Sequence, residues 1–184
     1  MYLLRHGQSF FNLHFNSSRI DPGIEDPELT DLGHEQARAA AEKLAACGVK
    51  RIIVSPYSRA LQTAAPIASK FGIVPQVMQQ VRERTAFSCD IGKTPAALSA
   101  LFPALDFAHL PDRWWHHAEE PEHEVVARAD DFRALMAASK DSEATLLVSH
   151  WAFILALSGV SVRNGELLQY DPGGGAPALI DWDY

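Results

Sequence analysis

Arg5-His6-Gly7, directly after the apolar run Met1-Tyr2-Leu3-Leu4, sets an anion clamp, a nucleophile and a side-chain-free backbone position side by side. In mid-chain Ser55-Pro56 is followed by Arg59, and Ser149-His150 closes a later apolar run. Two arginines and two histidines are thus spread over three segments, each at the end of a stretch that reads as a strand. The chemistry that fits this set best is that of a phosphoryl group. A guanidinium presents paired N–H donors that match phosphoryl oxygens. A neutral imidazole attacks phosphorus through one ring nitrogen while the other donates to a carbonyl.

The elements that must position these residues follow from periodicity and punctuation. Residues 1–5, 51–55 and 145–148 read as buried strands, and residues 74–81 as a further one. Thr30 is a good N-cap for a helix to about residue 47, with Ala37, Ala40, Ala41, Leu44 and Ala45 at helical spacing and Gly48 beyond its end. A second helix is predicted over 58–70, stopped by Gly72. Thr94-Pro95 opens a short helix to residue 101. Helices are also expected over 121–139, with Val125, Ala129, Phe132 and Met136 on one face, and over 151–158. Two short strands, 166–170 and 178–182, end the chain. Residues 13–29 and 102–123 read as irregular. Alternating strands and helices predict an α/β fold: three layers, a mostly parallel sheet with helices on both faces, in one domain over 1–184. In open α/β folds ligands bind beyond the carboxyl ends of the strands, so the three polar strand ends are expected to converge.

Composition narrows the function classes. The chain has 184 residues, 47% hydrophobic and 21% charged, which suits a single globular domain. A net charge of -7 argues against nucleic acid and anionic membrane as partners, so an anionic ligand needs a local cation cluster. Cys47 and Cys89 provide neither a disulfide framework nor a Cys-x-x-Cys pair. No secretory leader is recognisable, and the apolar stretch 145–162 is broken by Ser149, His150, Ser158 and Gly159, a poor membrane span. The expected setting is the reducing cytoplasm.

Taken together, the motifs resemble the histidine phosphatase (phosphoglycerate mutase-like) superfamily. The resemblance rests on Arg5-His6-Gly7-Gln8-Ser9 with Asn12, on Leu29-Thr30-Asp31-Leu32-Gly33 with Gln36-Ala37, on Ser55 through Ala64, and on Val148-Ser149-His150, in order along nearly the whole chain. It implies a phosphohistidine at His6 and a phosphate pocket of Arg5, Arg59 and His150, with Asn12 as an added donor. It implies no metal and no cofactor. It also places a general acid after the central strand region, where Glu83 matches best and Asp90 is the alternative. The first strand is shorter than usual for the family, which leaves a start upstream of Met1 open. Trp151 stands where many members carry Gly, so it is expected to narrow the pocket. The segment between the central carboxylate and the late helix is short compared with the longer mutases.

Simpler readings cover the remaining conspicuous residues. Ser55 and Ser149 are read as strand-end serines that hold backbone, because no Gly-x-Ser-x-Gly elbow exists. Trp114-Trp115-His116-His117 and His123 fit no zinc spacing and are read as packing of a lid-like excursion. Gly173-Gly174-Gly175 lacks the Lys-Ser/Thr of a P-loop and is read as a turn. The run from Glu119 to Glu124 is read as a charged helix start, and Cys89 as a small packed residue. The functional expectation is a metal-independent phosphomonoesterase acting on a small phosphorylated substrate through His6, with Glu83 as acid. A phosphomutase with the same intermediate and a non-catalytic phosphate-ligand binding module are the alternatives. A homodimer is left open, and substrate identity is expected to lie in residues 86–123.

Overall fold

The computed structural model of the chain describes residues 1–180. Its strands are β1 (Tyr2–Arg5), β2 (Arg51–Val54), β3 (Gln76–Val77), β4 (Thr145–Ser149), β5 (Leu167–Gln169) and β6 (Ala178–Ile180). They form a six-stranded sheet in the order β3-β2-β4-β1-β5-β6. β1 to β4 are mutually parallel, and β5 and β6 close one edge antiparallel. The helices are α1 (Phe10–Ser18), α2 (Asp31–Lys43), α3 (Ser58–Phe71), α4 (Pro95–Leu101), α5 (Glu122–Ala137) and α6 (Trp151–Ser158).

Successive strand side chains point to opposite faces, so each central strand feeds two cores. Leu4, Ile52, Val54, Leu146 and Val148 pack with Ala40 and Ala41 of α2 and with Ala60, Leu61, Ala64 and Ile67 of α3. Leu3, Ile53 and Leu147 pack on the other side with Ala129, Phe132 and Met136 of α5 and with Phe153, Ile154 and Leu157 of α6. This is the three-layer α/β arrangement expected from the alternation of elements. Among the described residues no helix is long and apolar enough to cross a membrane.

Three local readings change, and a fourth is met as far as the described residues reach. Helix α1 occupies part of the stretch read as irregular: Ser9 caps it, its hydroxyl accepting from the Asn12 amide while the Asn12 side chain accepts from the Ser9 amide. The helix after Thr30 ends at Lys43 and tightens into a 3-10 turn over Leu44–Ala46. The strand expected over 74–81 is two residues long and passes into a 3-10 turn, Gln79–Val81. Of the strand expected over 178–182, Ala178–Ile180 is present and the remainder lies outside the described residues.

Sheet register sets the site. Arg5 pairs with Ser149 across β1 and β4, so His6 and His150, one residue further on, emerge side by side. Val54 pairs with Val148, which puts Ser55 beside Ser149. The strand order changes direction around β4 and β1, the place where α/β sheets open a crevice.

Candidate active site

Backbone contact builds the floor of the site. A Cβ on Gly7 would lie 2.4 Å from the Gly33 carbonyl oxygen, and one on Gly33 would lie 2.1 Å from that of Gln8. Only glycine permits this crossing of the loop after β1 with the start of α2. The Gly7 amide then donates to Thr63 Oγ1 of α3 at 3.0 Å, tying the two motifs together. Asn164 Nδ2 donates to the His6 carbonyl and to Asn12 Oδ1, both at 3.1 Å. Nothing in the sequence singles out Asn164, which acts only through the folded chain.

His6 is buried, and its Nδ1 lies 2.7 Å from the Gly7 carbonyl oxygen. A carbonyl only accepts, so Nδ1 carries the proton and Nε2 keeps its lone pair. Burial, then Arg59 and Arg5, hold the His6 pKa well below the usual imidazole value, so the ring is neutral. His150 lies behind it, fully buried, with ring centroids 5.0 Å apart. Its Nε2 meets Ser55 Oγ at 2.7 Å, while its Nδ1 is buried without a partner among the described residues. Ser55 therefore holds a histidine rather than backbone, whereas Ser149 does hold backbone, donating to the Val81 carbonyl at 2.8 Å. Tyr57 packs edge-on to His150 and lies 4.4 Å beneath the Arg59 guanidinium.

Arg5, His6, Asn12, Arg59, Glu83 and Asp90 line one cavity of about 420 Å³. Arg5 donates to the Val162 carbonyl at 2.9 Å, and its buried Nε has no partner among the described residues. Burial lowers its pKa to about 10, which leaves it charged at neutral pH. Arg59 donates to the Cys89 carbonyl at 2.6 Å and to Asp90 Oδ1 at 3.1 Å. Asp90 Oδ2 accepts from the Ala86 and Phe87 amides at 3.0 and 3.1 Å. Both Asp90 oxygens are thus occupied as acceptors, and the residue serves as counter-ion to Arg59 and as a staple for the 86–90 turn. Asn12 spends its oxygen on Ser9 and Asn164 and keeps its Nδ2.

Glu83 is half-buried on the same wall. Its Oε1 accepts from the Arg84 amide at 2.9 Å and from the Ala152 amide, in the first turn of α6, at 3.0 Å. Oε2 has only a long contact of 3.4 Å to that same amide. Burial, reinforced by the Asp90 charge, raises the Glu83 pKa above the usual carboxylate value despite the Arg84 amide hydrogen bond and the charges of Arg59 and Arg5.

The charged helix start read over 119–124 is present, with Glu122 and Glu124 in the first turn of α5, but Glu120 has a different place. Glu120 is fully buried and accepts from Arg82 at 2.7 Å and from Arg128, in a two-pronged pair, at 2.9 and 2.8 Å. Its amide donates to the Thr85 carbonyl, and its carbonyl accepts from Arg84 Nε, each at 2.8 Å. Both flanks of Glu83 are therefore pinned to Glu120. Glu120→Ala is expected to destabilise the fold by about 3–5 kcal/mol, because it strands two partly buried guanidiniums. A denaturant midpoint measured beside the surface control Glu119→Ala checks this.

Trp114 is buried against Tyr57 and donates to the Lys93 carbonyl at 2.9 Å, so the first tryptophan of the 114–117 cluster is packing, as read. Trp151 lines the mouth of the cavity.

The chain belongs to the histidine phosphatase superfamily (branch 1), whose family model matches residues 1–167. Within it, the chain is a phosphoric monoester hydrolase of the phosphoglycerate mutase-like fold. It is 33% identical over 172 residues to a glucosyl-3-phosphoglycerate phosphatase of Mycobacterium tuberculosis, covering 89% of this chain and 75% of the relative. It is 32% identical to the protein of the same name from Mycolicibacterium vanbaalenii, covering 91% and 78%. A solved mycobacterial glucosyl-3-phosphoglycerate phosphatase in complex with VO3 superposes with a TM-score of 0.66 at 26% identity, covering 100% of this chain and 98% of that one.

Proposed function

We propose that this chain, working as a single domain over 1–184, hydrolyses a small phosphomonoester without a metal through a phosphohistidine on Nε2 of His6. The observation that carries the reading is the His6–Gly7 contact: it fixes the tautomer and leaves a nucleophilic nitrogen in a cavity shared with Arg5, Arg59 and Glu83. Arg5 and Arg59 bind the phosphoryl oxygens, and Asn12 Nδ2 adds a donor. His150 supplies its unpartnered Nδ1–H when Nε2 accepts from the Ser55 hydroxyl. Glu83 protonates the leaving alkoxide and then takes a proton from the attacking water. Asp90, with both oxygens spent, is not the acid.

Among the described residues no group of three or more His, Cys, Asp or Glu side chains is placed to hold a metal ion. The reading places the enzyme in the cytoplasm.

Hydrolysis is favoured over mutase chemistry by the extent of likeness. The phosphatase of M. tuberculosis matches 89% of this chain. A 2,3-bisphosphoglycerate-dependent phosphoglycerate mutase of Bartonella tribocorum matches 39% of it, over 74 residues. Incubation with glucosyl-3-phosphoglycerate or 3-phosphoglycerate, under exhaustive EDTA, is expected to release inorganic phosphate from whichever ester turns over. Interconversion of phosphoglycerates without phosphate release would establish the mutase, and rescue by a divalent ion after EDTA would end the metal-free reading.

A further inference from the structure

Beyond the phosphate clamp, the cavity continues along a wall of three phenylalanines. Phe11 and Phe15 of α1 stack with ring centroids 5.2 Å apart and an interplanar angle of 15°. Phe87 completes the set, 5.7 Å from Phe11 and 5.0 Å from Phe15. The wall is built rather than incidental. The Phe87 amide is held by Asp90, itself the counter-ion of the clamp residue Arg59. Next to it, the Ser88 amide and hydroxyl both donate to the Asp21 carboxylate, fastening the turn to the chain just beyond α1. Even so, Phe87 is 42% exposed. A ring fixed in place yet open to a cavity is a surface waiting for an apolar ligand. Trp151 lines the same cavity, its ring held by an Nε1 hydrogen bond of 2.9 Å to Ser161.

One cation stands at this end. Arg19 lines the cavity with its guanidinium carbon 5.9 Å from the centroid of Phe15. Arg84, the other rim arginine, is committed to Glu119 and to the Glu120 carbonyl. Arg19 has no acidic partner among the described residues. Polar side chains able to satisfy a set of hydroxyls are scarce here, Asn16 being the main one besides Arg19.

We infer that the alcohol half of the substrate is an apolar, ring-bearing group seated on Phe11, Phe15 and Phe87, and that it carries a second anionic group, a carboxylate, held by Arg19. This rests on the phosphomonoesterase reading for the position of the phosphoryl group. The cavity volume of about 420 Å³ suits a small molecule of that kind. The enzyme then selects by the far end of the alcohol, because the phosphoryl contacts are the same for every ester.

Non-hydrolysable phosphonates test the inference without needing turnover. Propylphosphonate, its phenyl-terminated analogue and the para-carboxylate of that analogue are titrated by calorimetry against the intact protein. The phenyl ring is expected to tighten binding about ten- to a hundredfold. The carboxylate is expected to add roughly three- to tenfold. Phe87→Ala and Phe15→Ala should each shrink the phenyl increment severalfold, and Arg19→Gln should erase the carboxylate increment. Each result is a ratio of two ligands on one protein, so a general weakening of the pocket divides out. Equal affinity for the propyl and phenyl ligands, or increments untouched by these substitutions, would overturn the inference. So would a preference of more than tenfold in kcat/KM for glucosyl-3-phosphoglycerate over the phenyl-carboxylate phosphate ester. The two readings fail separately: phosphate release without a ring preference defeats only this one. Ring-selective binding without phosphate release defeats only the hydrolytic one.

Discussion

His6→Ala is expected to leave no acid-labile phosphate on the protein after quenching with labelled substrate, and to lower kcat by at least roughly 10³-fold, since the nucleophile of a covalent mechanism is lost. Two neutral histidines lie with their rings 5.0 Å apart, and either could in principle carry the phosphoryl group. Each has one ring nitrogen engaged, His6 through Nδ1 with Gly7 and His150 through Nε2 with Ser55. What separates them is access. His6 lines the cavity, whereas His150 is fully buried behind it. A phosphoryl group in the cavity therefore meets His6 as nucleophile and not His150. Because burial and two arginines hold the His6 pKa well below 6.5, the nucleophile needs no deprotonation near neutral pH. His150→Ala should therefore still take up label, though more slowly. Label that survives in His6→Ala and vanishes in His150→Ala would exchange the two roles.

The parts of this site that were legible in the sequence are those fixed by strand ends. Arg5-His6, Ser55 and Ser149-His150 follow apolar runs, and parallel register then aligns them without further information. The two glycines that let the loops cross were also visible, as members of motifs, though their contact was not: Gly7 and Gly33 meet only in three dimensions. Helix α1 is hidden because Phe11 and Phe15 line the cavity while Phe10 and Leu13 are exposed, which blurs the period of a core-facing helix. Glu120 was hidden for a different reason. A string of glutamates before a helix reads as a solvated N-terminus, and only the arrival of Arg82 and Arg128 from elsewhere makes burial of one of them tolerable. The sequence ranks Glu83 ahead of Asp90 as the acid, and the contacts favour the same order: both Asp90 oxygens accept hydrogen bonds, while Oε2 of Glu83 is lightly held.

Glu83→Gln is expected to lose about 10²–10⁴-fold in the first chemical step on an alkyl phosphate, the usual worth of a general acid. On a nitrophenyl phosphate the same step should change far less, because nitrophenolate departs without a proton. The geometry explains why the acid is available. Oε1 takes both amide hydrogen bonds at normal length, which leaves Oε2 free to carry the proton. Charge works in the same direction. Asp90 already neutralises Arg59, so a phosphoryl dianion entering beside Arg5 adds negative charge to the cavity and favours the protonated carboxyl further. The acid works only while protonated, so the alkyl ester should be cleaved less well as pH rises through the raised pKa of Glu83, a limb that the glutamine variant lacks. Dephosphorylation of His6 has to be measured apart from this, since the same carboxylate activates water in the second step. Single-turnover release of the alcohol isolates the first. Losses of equal size for the two esters would remove Glu83 from the leaving-group role and leave it as a residue that merely positions α6 against the cavity.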